Sequence, residues 1–595
     1  MSTLIFVWIT KTNLERPYLI MTYTNKSCFS LILIAILSIS FANAQTAVIS
    51  EKKGVISVIE SKPKWVDSVF KKMKRKERIA QLFIVPIYSN QSKEKQDSIT
   101  QLIQKYQAGG IITFQGGPVR NALSLNNIQA GLKIPALVTT DGEWGLGMRL
   151  DSTVSYPFQM TLGAIQNNEL IYEMGQQMAA QFKRAGIQMN FAPVVDVNNN
   201  IKNPVINFRS FGENKYNVAR KGIAFMKGMQ DGGLLATAKH FPGHGDTETD
   251  SHYDLPQLNF TRERLDTLEM YPFRQLIQSG IGGVMVAHMN IPSLDSTKNL
   301  PSTLSKPIVT AILKDSIGFK GLVFTDAMNM KGVVKYHPKG EAAVMAAMAG
   351  NDMLEMVENL PESIKAVQKA IRKNKISRKE INERCKKVLA AKYWLGLNHY
   401  QPVYIPNLTQ DLNPDDAIVL NTKLAEAAAT TLVKPTDSIV KVKDKVLILS
   451  LGTGENTLFQ QGLSATIPAA CISVAKDADQ KTVDNICSQL KNFDKVIIGI
   501  HDKRPRPRSV LDYNSSVFSL ITALVQSGKA YISVMANAYT IAGLPGIEKS
   551  NGLWVFYEDS KYTEQAAAKV ILHQLTTTGK LPVTINPTFK EGQGL

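Results

Sequence analysis

The chain has 595 residues, 44% of them apolar and 20% charged, a balance that excludes both a disordered polypeptide and a multi-pass membrane protein. Its 68 Lys and Arg against 50 Asp and Glu leave a formal charge of +18. The positive residues are spread thinly outside Lys71–Lys76 and Lys503–Arg508, and no zinc-finger or RNA-binding signature accompanies them, which argues against a nucleic-acid partner.

At the N-terminus, Lys26 precedes the apolar run Phe29–Phe41, and Ala42-Asn43-Ala44 supplies small residues for cleavage. Residues 1–44 therefore read as a secretory signal peptide, too short for a membrane span and placed naturally behind a start at Met21. Asn25-Lys26-Ser27 offers no lipid-attachment pattern before Cys28. The expectation is an exported chain, periplasmic or extracellular, with no stable membrane insertion once the signal is removed. Cys385, Cys471 and Cys487 then remain, too few for a disulfide framework. They read as buried free thiols, with a Cys471–Cys487 bridge as the alternative.

Between residues 79 and 397, short apolar runs alternate with amphipathic stretches. The runs are Ile79–Tyr88, Ala108–Phe114, Pro135–Thr140, Gln188–Val197, Leu234–His240, Ile281–Asn290, Gly321–Asp326 and Asp352–Met356. Helical spacing recurs in Asn167–Arg184, Tyr216–Gln230, Leu268–Ser279 and Ser305–Ile317. Such alternation predicts parallel strands, and eight of them suit a (β/α)8 TIM-type barrel over residues 45–400; a doubly wound sheet is the alternative. Residues 401–440 read as a linker with one helix at Asp416–Thr430. Residues 441–595 then carry five strand-like runs with interleaved helices, a smaller α/β sandwich domain.

Polar residues ending the barrel strands are the active-site candidates, because the C-terminal face of such barrels hosts their chemistry. They are Asp141, Asp196, Lys239-His240, His288 and Asp326. The densest segment is Lys239–His252, with three histidines in thirteen residues. Zinc is the first thought, but Pro242, Gly243 and Gly245 break the helix that an HExxH site needs, so no metal and no cofactor are expected. Asp250-Ser251-His252 is more informative. In an extended loop, side chains at i and i+2 lie on one side, so the carboxylate can fix the imidazole tautomer of a loop-borne general acid/base.

K-H-F-P-G-H-G at 239–245, D-S-H at 250–252 and F-T-D-A-M-N-M-K-G at 324–332 together resemble glycoside hydrolase family 3, in its β-N-acetylglucosaminidase branch. Thr140–Glu143, Asn190–Val197, Arg209–Gly212 and Ala287-His288-Met289 extend the similarity. The resemblance implies Asp326 as the nucleophile, His252 as the acid/base oriented by Asp250, and Asp141 holding sugar hydroxyls. It implies substrate contacts at Arg149, Arg209, Lys239 and His240. The expected activity is retaining exo-hydrolysis of terminal β-linked N-acetylglucosamine from peptidoglycan fragments or chito-oligosaccharides through a covalent glycosyl-enzyme. A phosphorylase or β-glucosidase of the same family is the alternative, and a carbohydrate-binding protein the non-enzymatic one. Ser450–Asn456 lacks the third glycine of a dinucleotide turn and reads as a tight βα turn.

Overall fold

A computed structural model describes residues 54–247, 255–338, 340–435, 439, 441 and 443–595, so the expected signal peptide and Asp250–His252 lie outside the described residues. Eight strands form one sheet: β1 (Phe83–Ile87), β2 (Gly110–Thr113), β3 (Leu137–Thr140), β4 (Met189–Asn190), β5 (Leu235–Phe241), β6 (Gly283–Val286), β7 (Leu322–Thr325) and β8 (Leu354–Glu355). Their order is β7-β6-β5-β4-β3-β2-β1-β8. Every pairing is parallel. A bridge between Phe324 and Met353 brings β7 beside β8. Val323 O accepts from Asp352 N at 2.8 Å and Met353 N at 3.0 Å across the same seam. The two ends of the sheet thus meet as a barrel, and the doubly wound alternative, which needs open edges, is excluded.

The strand sequences suit a core on both faces: Gly-Ile-Ile-Thr of β2 and Leu-Val-Phe-Thr of β7 are buried at every position. The surrounding helices bury a stripe. Glu169–Arg184 turns Ile171, Met174, Met178 and Phe182 inward, with Glu169 in its first turn and Lys183 and Arg184 in its last, as the helix dipole favours. β4 is far shorter than the apolar run Gln188–Val197 suggests, because Pro193 has no N–H to continue a ladder.

The second sheet comprises β9 (Thr430–Val433), β10 (Val446–Leu451), β11 (Ala469–Val474), β12 (Lys495–His501), β13 (Ala530–Met535) and β14 (Gly552–Val555), in the order β11-β10-β12-β13-β14-β9. Only β9 runs antiparallel. Alternation along β10 sends Val446 and Ile448 into one apolar cluster with Phe459, Leu463 and Ile571, and Leu447 and Leu449 into another with Val517 and Leu520. Helices therefore cover both faces, giving three layers.

Two expectations need correction. The helix expected at Asp416–Thr430 in the stretch read as a linker forms over Asp415–Ala428, but the same stretch also contributes an unexpected strand, β9, to the second sheet. A four-residue strand directly after a helix leaves too little alternation to detect. Of the three thiols, all free, Cys385 alone is fully buried while Cys471 is exposed, since the edge strand β11 turns it outward.

The second domain docks on the barrel loop that follows β4. Asn198 donates to Tyr539 OH at 2.9 Å, Asn537 to Asn207 at 2.6 Å, and Asn207 to Ser509 Oγ at 2.7 Å. Just after β14, Glu558 accepts from Phe158 N at 2.8 Å and from the Thr161 hydroxyl at 2.6 Å. Burial pushes the Glu558 carboxyl up to about 7, although both donors pull the other way. Among the described residues, no helix is long and apolar enough to cross a membrane.

Candidate active site at the C-terminal face of the barrel

Asp141, one residue beyond β3, accepts from Arg149 Nη2 at 2.7 Å and from Lys239 Nζ, on β5, at 2.8 Å. Lys239 Nζ also lies 2.8 Å from Glu143 Oε1. Arg209, ending a short helical turn in the loop after β4, grips Glu143 with both prongs, Nε at 2.9 Å and Nη2 at 2.7 Å. Lys239 is only 2% exposed and Glu143 1%, so neither charge survives without its partners. Burial opposes ionisation of both carboxyls; Lys239 and Arg149 nevertheless hold Asp141 below the usual carboxylate range, and Arg209 and Lys239 do the same to Glu143. Burial likewise disfavours the Lys239 ammonium, and Asp141 and Glu143 more than restore it. Two carboxylates and three cations thus form a fixed lattice of donors and acceptors, the kind of surface that reads sugar hydroxyls.

Asp196 has a different task from its neighbours. Fully buried, it accepts from His244 N at 2.7 Å, from His240 N at 3.2 Å and from the His240 ring at Nδ1, 2.8 Å away. The loop after β5 is therefore moored to it, and a proton on Nδ1 leaves His240 Nε2 as the free ring nitrogen. The glycines of this loop are required by contact. Gly243 sits at φ 138°, and a Cβ on Gly245 would lie 1.8 Å from Val197 O. His244 is sealed inside, with the Thr247 hydroxyl 2.9 Å from its Nδ1; burial and the neighbouring His240 bring its pKa down to about 4, so it is neutral at pH 7.

Asp326 follows β7, its Oδ1 accepting from Ala327 N at 2.8 Å. Burial opposes its ionisation, but the imidazoles of His288 and His240, the Ala327 N–H and Lys239 outweigh it and hold the carboxyl below the usual range. His288 is itself kept low by burial, and its Nε2 is 3.1 Å from Ala327 O, where it steadies the Asp326 loop. Arg209 plays no such part. Its guanidinium is spent on Glu143, and Lys239 is the cation that acts on Asp326.

Asp141, Arg149, Arg209, Lys239, His240 and Asp326 are therefore brought to one face, while Asp250 and His252 lie outside the described residues. Two carboxyls had no role in the sequence reading. Glu143 stood inside a quoted segment, and Glu355 at the end of β8 stood inside an apolar run. The face is walled by Tyr88 stacked on Phe114 at 5.1 Å, with the Arg149 guanidinium 4.8 Å from the Phe114 ring. A cavity of about 470 Å³, lined by Trp65, Gln81, Gln107 and Pro135, opens at the opposite face, before β1, β2 and β3, away from this chemistry. Among the described residues, His501, Asp559 and Glu564 are the one trio of potential metal ligands that converges; Lys503 Nζ already sits 2.6 Å from Glu564 and 3.1 Å from Asp559.

Residues 75–391 match the family model described as glycosyl hydrolase family 3 N terminal domain. The chain is 29% identical over 385 residues to a β-hexosaminidase A of Pseudoalteromonas piscicida, covering 59% of this chain and 64% of that protein, somewhat under two-thirds of its length. It is 26% identical over 408 residues to a β-N-acetylglucosaminidase/β-glucosidase of Cellulomonas fimi, covering 67% and 72% of the two chains. A solved structure of a glycoside hydrolase family 3 β-N-acetylglucosaminidase from Paenibacillus sp. superimposes with a TM-score of 0.72 at 28% identity, covering 86% of this chain and 99% of that one.

Proposed function

This chain belongs to glycosyl hydrolase family 3, and from that premise we propose that it is an exported, retaining exo-β-N-acetylglucosaminidase. The observation that carries the reading is the convergence of an ionised Asp326 with Asp141, Arg149 and Lys239, a set of donors and acceptors suited to hydroxyls and braced by the Glu143–Arg209 pair. The names of the Pseudoalteromonas and Paenibacillus relatives support the choice of sugar.

In this mechanism, Asp141, Arg149, Lys239 and His240 hold the terminal sugar. The Asp326 carboxylate attacks the anomeric carbon while His252 gives its proton to the departing glycosidic oxygen, so one C–O bond forms as the other breaks. His252, now neutral, takes a proton from water, whose oxygen attacks the glycosyl-enzyme ester and frees Asp326. Asp250 fixes the imidazole tautomer throughout. An imidazole donor brings no second negative charge beside Asp326. Arg209 and Glu143 act through one another as positioning groups. The substrates proposed are peptidoglycan fragments or chito-oligosaccharides ending in N-acetylglucosamine.

Comparing aryl N-acetylglucosaminide, glucoside and xyloside tests the sugar, and a preference for glucoside would overturn it. That second reading has one observation in its favour, the double name of the Cellulomonas relative. A mechanism-based fluorinated glycoside should label Asp326, and Asp326→Ala should abolish turnover without loss of fold; a label mapped to another carboxylate overturns the assignment.

A further inference from the structure

Glu355 is the residue of this face that the mechanism above leaves unused. It ends β8, between β7 with Asp326 at its end and β1 followed by Tyr88. Its backbone is pinned to the Asp326 loop: Glu355 N donates to Thr325 Oγ1 at 2.9 Å, and Glu355 O accepts from Met328 N at 2.9 Å. The residue is 3% exposed, and its Oε2 is wholly buried without a hydrogen-bond partner. No polar group among the described residues bonds its carboxyl. Buried carboxyls are normally paired with a cation or fully hydrogen-bonded, so a carboxyl left open here, at the level of the reacting groups, is placed for a ligand.

Resting on the function proposed above, we propose that Glu355 is a substrate-binding residue whose carboxyl O–H donates a hydrogen bond to a ring hydroxyl of the terminal sugar. A carboxylic acid offers one donor beside acceptor lone pairs, which matches a hydroxyl in both directions. Burial, then Asp141 and Asp326, push this carboxyl well above its ordinary range, with Lys239 and Arg149 opposing them only in part. These surroundings favour its neutral form, as they favour the ionised form of Asp326. The pairing has its own logic. A second anion beside Asp326 would disfavour the ionised nucleophile, whereas a neutral acid reads the sugar without that penalty. Tyr88, stacked on Phe114, stands within the electrostatic reach of both Arg149 and Glu355 and completes the wall on that side.

The test compares the full-length chain with Glu355→Gln and Glu355→Leu on an aryl N-acetylglucosaminide and its 3-, 4- and 6-deoxy analogues, and on the matching glucoside series. Gln keeps a donor without charge and should retain kcat/KM within about threefold. Leu removes the donor and should lose roughly 10- to 100-fold on the parent sugar. One deoxy analogue should cost the wild type a similar factor and cost Glu355→Leu almost nothing further. Equal discrimination across the deoxy series by wild type and Leu overturns the assignment, as does a Leu variant with undiminished kcat/KM. A wild type that prefers glucosides overturns the acetamido reading alone, because the deoxy comparison then runs on glucosides. Calorimetric titration of free N-acetylglucosamine and glucose gives the same comparison without turnover: a Leu variant that binds as the wild type does also overturns the role.

Discussion

Replacing Glu558 by Gln removes one titrating proton from the junction between the two domains. In the folded chain, burial raises that carboxyl from 4.5 to about 7. Between these values the folded state holds a proton that the unfolded chain has released. Stability from this group is therefore full below the unfolded value and falls as pH rises towards the folded one. At about 1.4 kcal/mol per unit, a window of about 2.5 units amounts to roughly 3.5 kcal/mol, an upper figure for a group that accepts two hydrogen bonds when ionised. Gln is neutral throughout and keeps an oxygen for Phe158 N–H and the Thr161 hydroxyl. Urea midpoints read by tryptophan fluorescence at about pH 5 and about pH 8 give the difference between variant and wild type. That difference should move by roughly 2–3 kcal/mol in favour of Gln at the higher pH. Comparing the two proteins cancels the opposite trend of buried Lys221 and Lys392, whose amines burial lowers to about 7. A difference that stays constant with pH refutes the reasoning.

Three further predictions concern the active site. His252→Ala should slow substrates with poor leaving groups far more than activated ones, Asp250→Asn should give a smaller defect of the same kind, and high phosphate should yield some sugar 1-phosphate, because a neutral imidazole does not repel the dianion; equal slowing of both substrate classes removes the dyad, and hydrolysis alone removes only phosphorolysis. EDTA should leave activity intact, and loss restored by zinc would reverse that view. Arg209→Ala leaves Glu143 buried with Lys239 as its remaining cation; it should cost about 3 kcal/mol of stability and raise KM, and an unchanged urea midpoint would show the bidentate pair to be dispensable.

The barrel was legible because each apolar run carried a strand, and five of the eight also presented a polar candidate at or near the end. Asp141, Lys239, His240 and Asp326 were found that way. What escaped is instructive. Periodicity cannot tell whether a strand-end carboxylate faces a ligand or its own chain, so Asp196 looked equivalent to Asp141 although it moors the loop of His240 and His244. Arg209 and Glu143 are separated by 66 positions, and only the folded loop after β4 brings them together. Glu355 was hidden by its apolar neighbours Leu354 and Met356, although a lone acid inside such a run is itself a signal. β9 escaped because only its pairing with β14 makes Thr430–Val433 a strand.

Several contacts fastening the second domain to the Arg209 loop are between amides and hydroxyls, Asn198 with Tyr539 and Asn207 with Asn537 and Ser509, while Glu213 further along the loop adds a carboxylate that accepts from Thr584. Neutral pairs gain nothing from dilute buffer and lose nothing in brine, since mobile ions screen charges and leave buried dipoles alone. The binding lattice itself is charged but sealed, with Lys239 and Glu143 almost wholly shielded from water. Added salt should therefore act more on the approach of a charged ligand than on the buried pairs that shape the face receiving it.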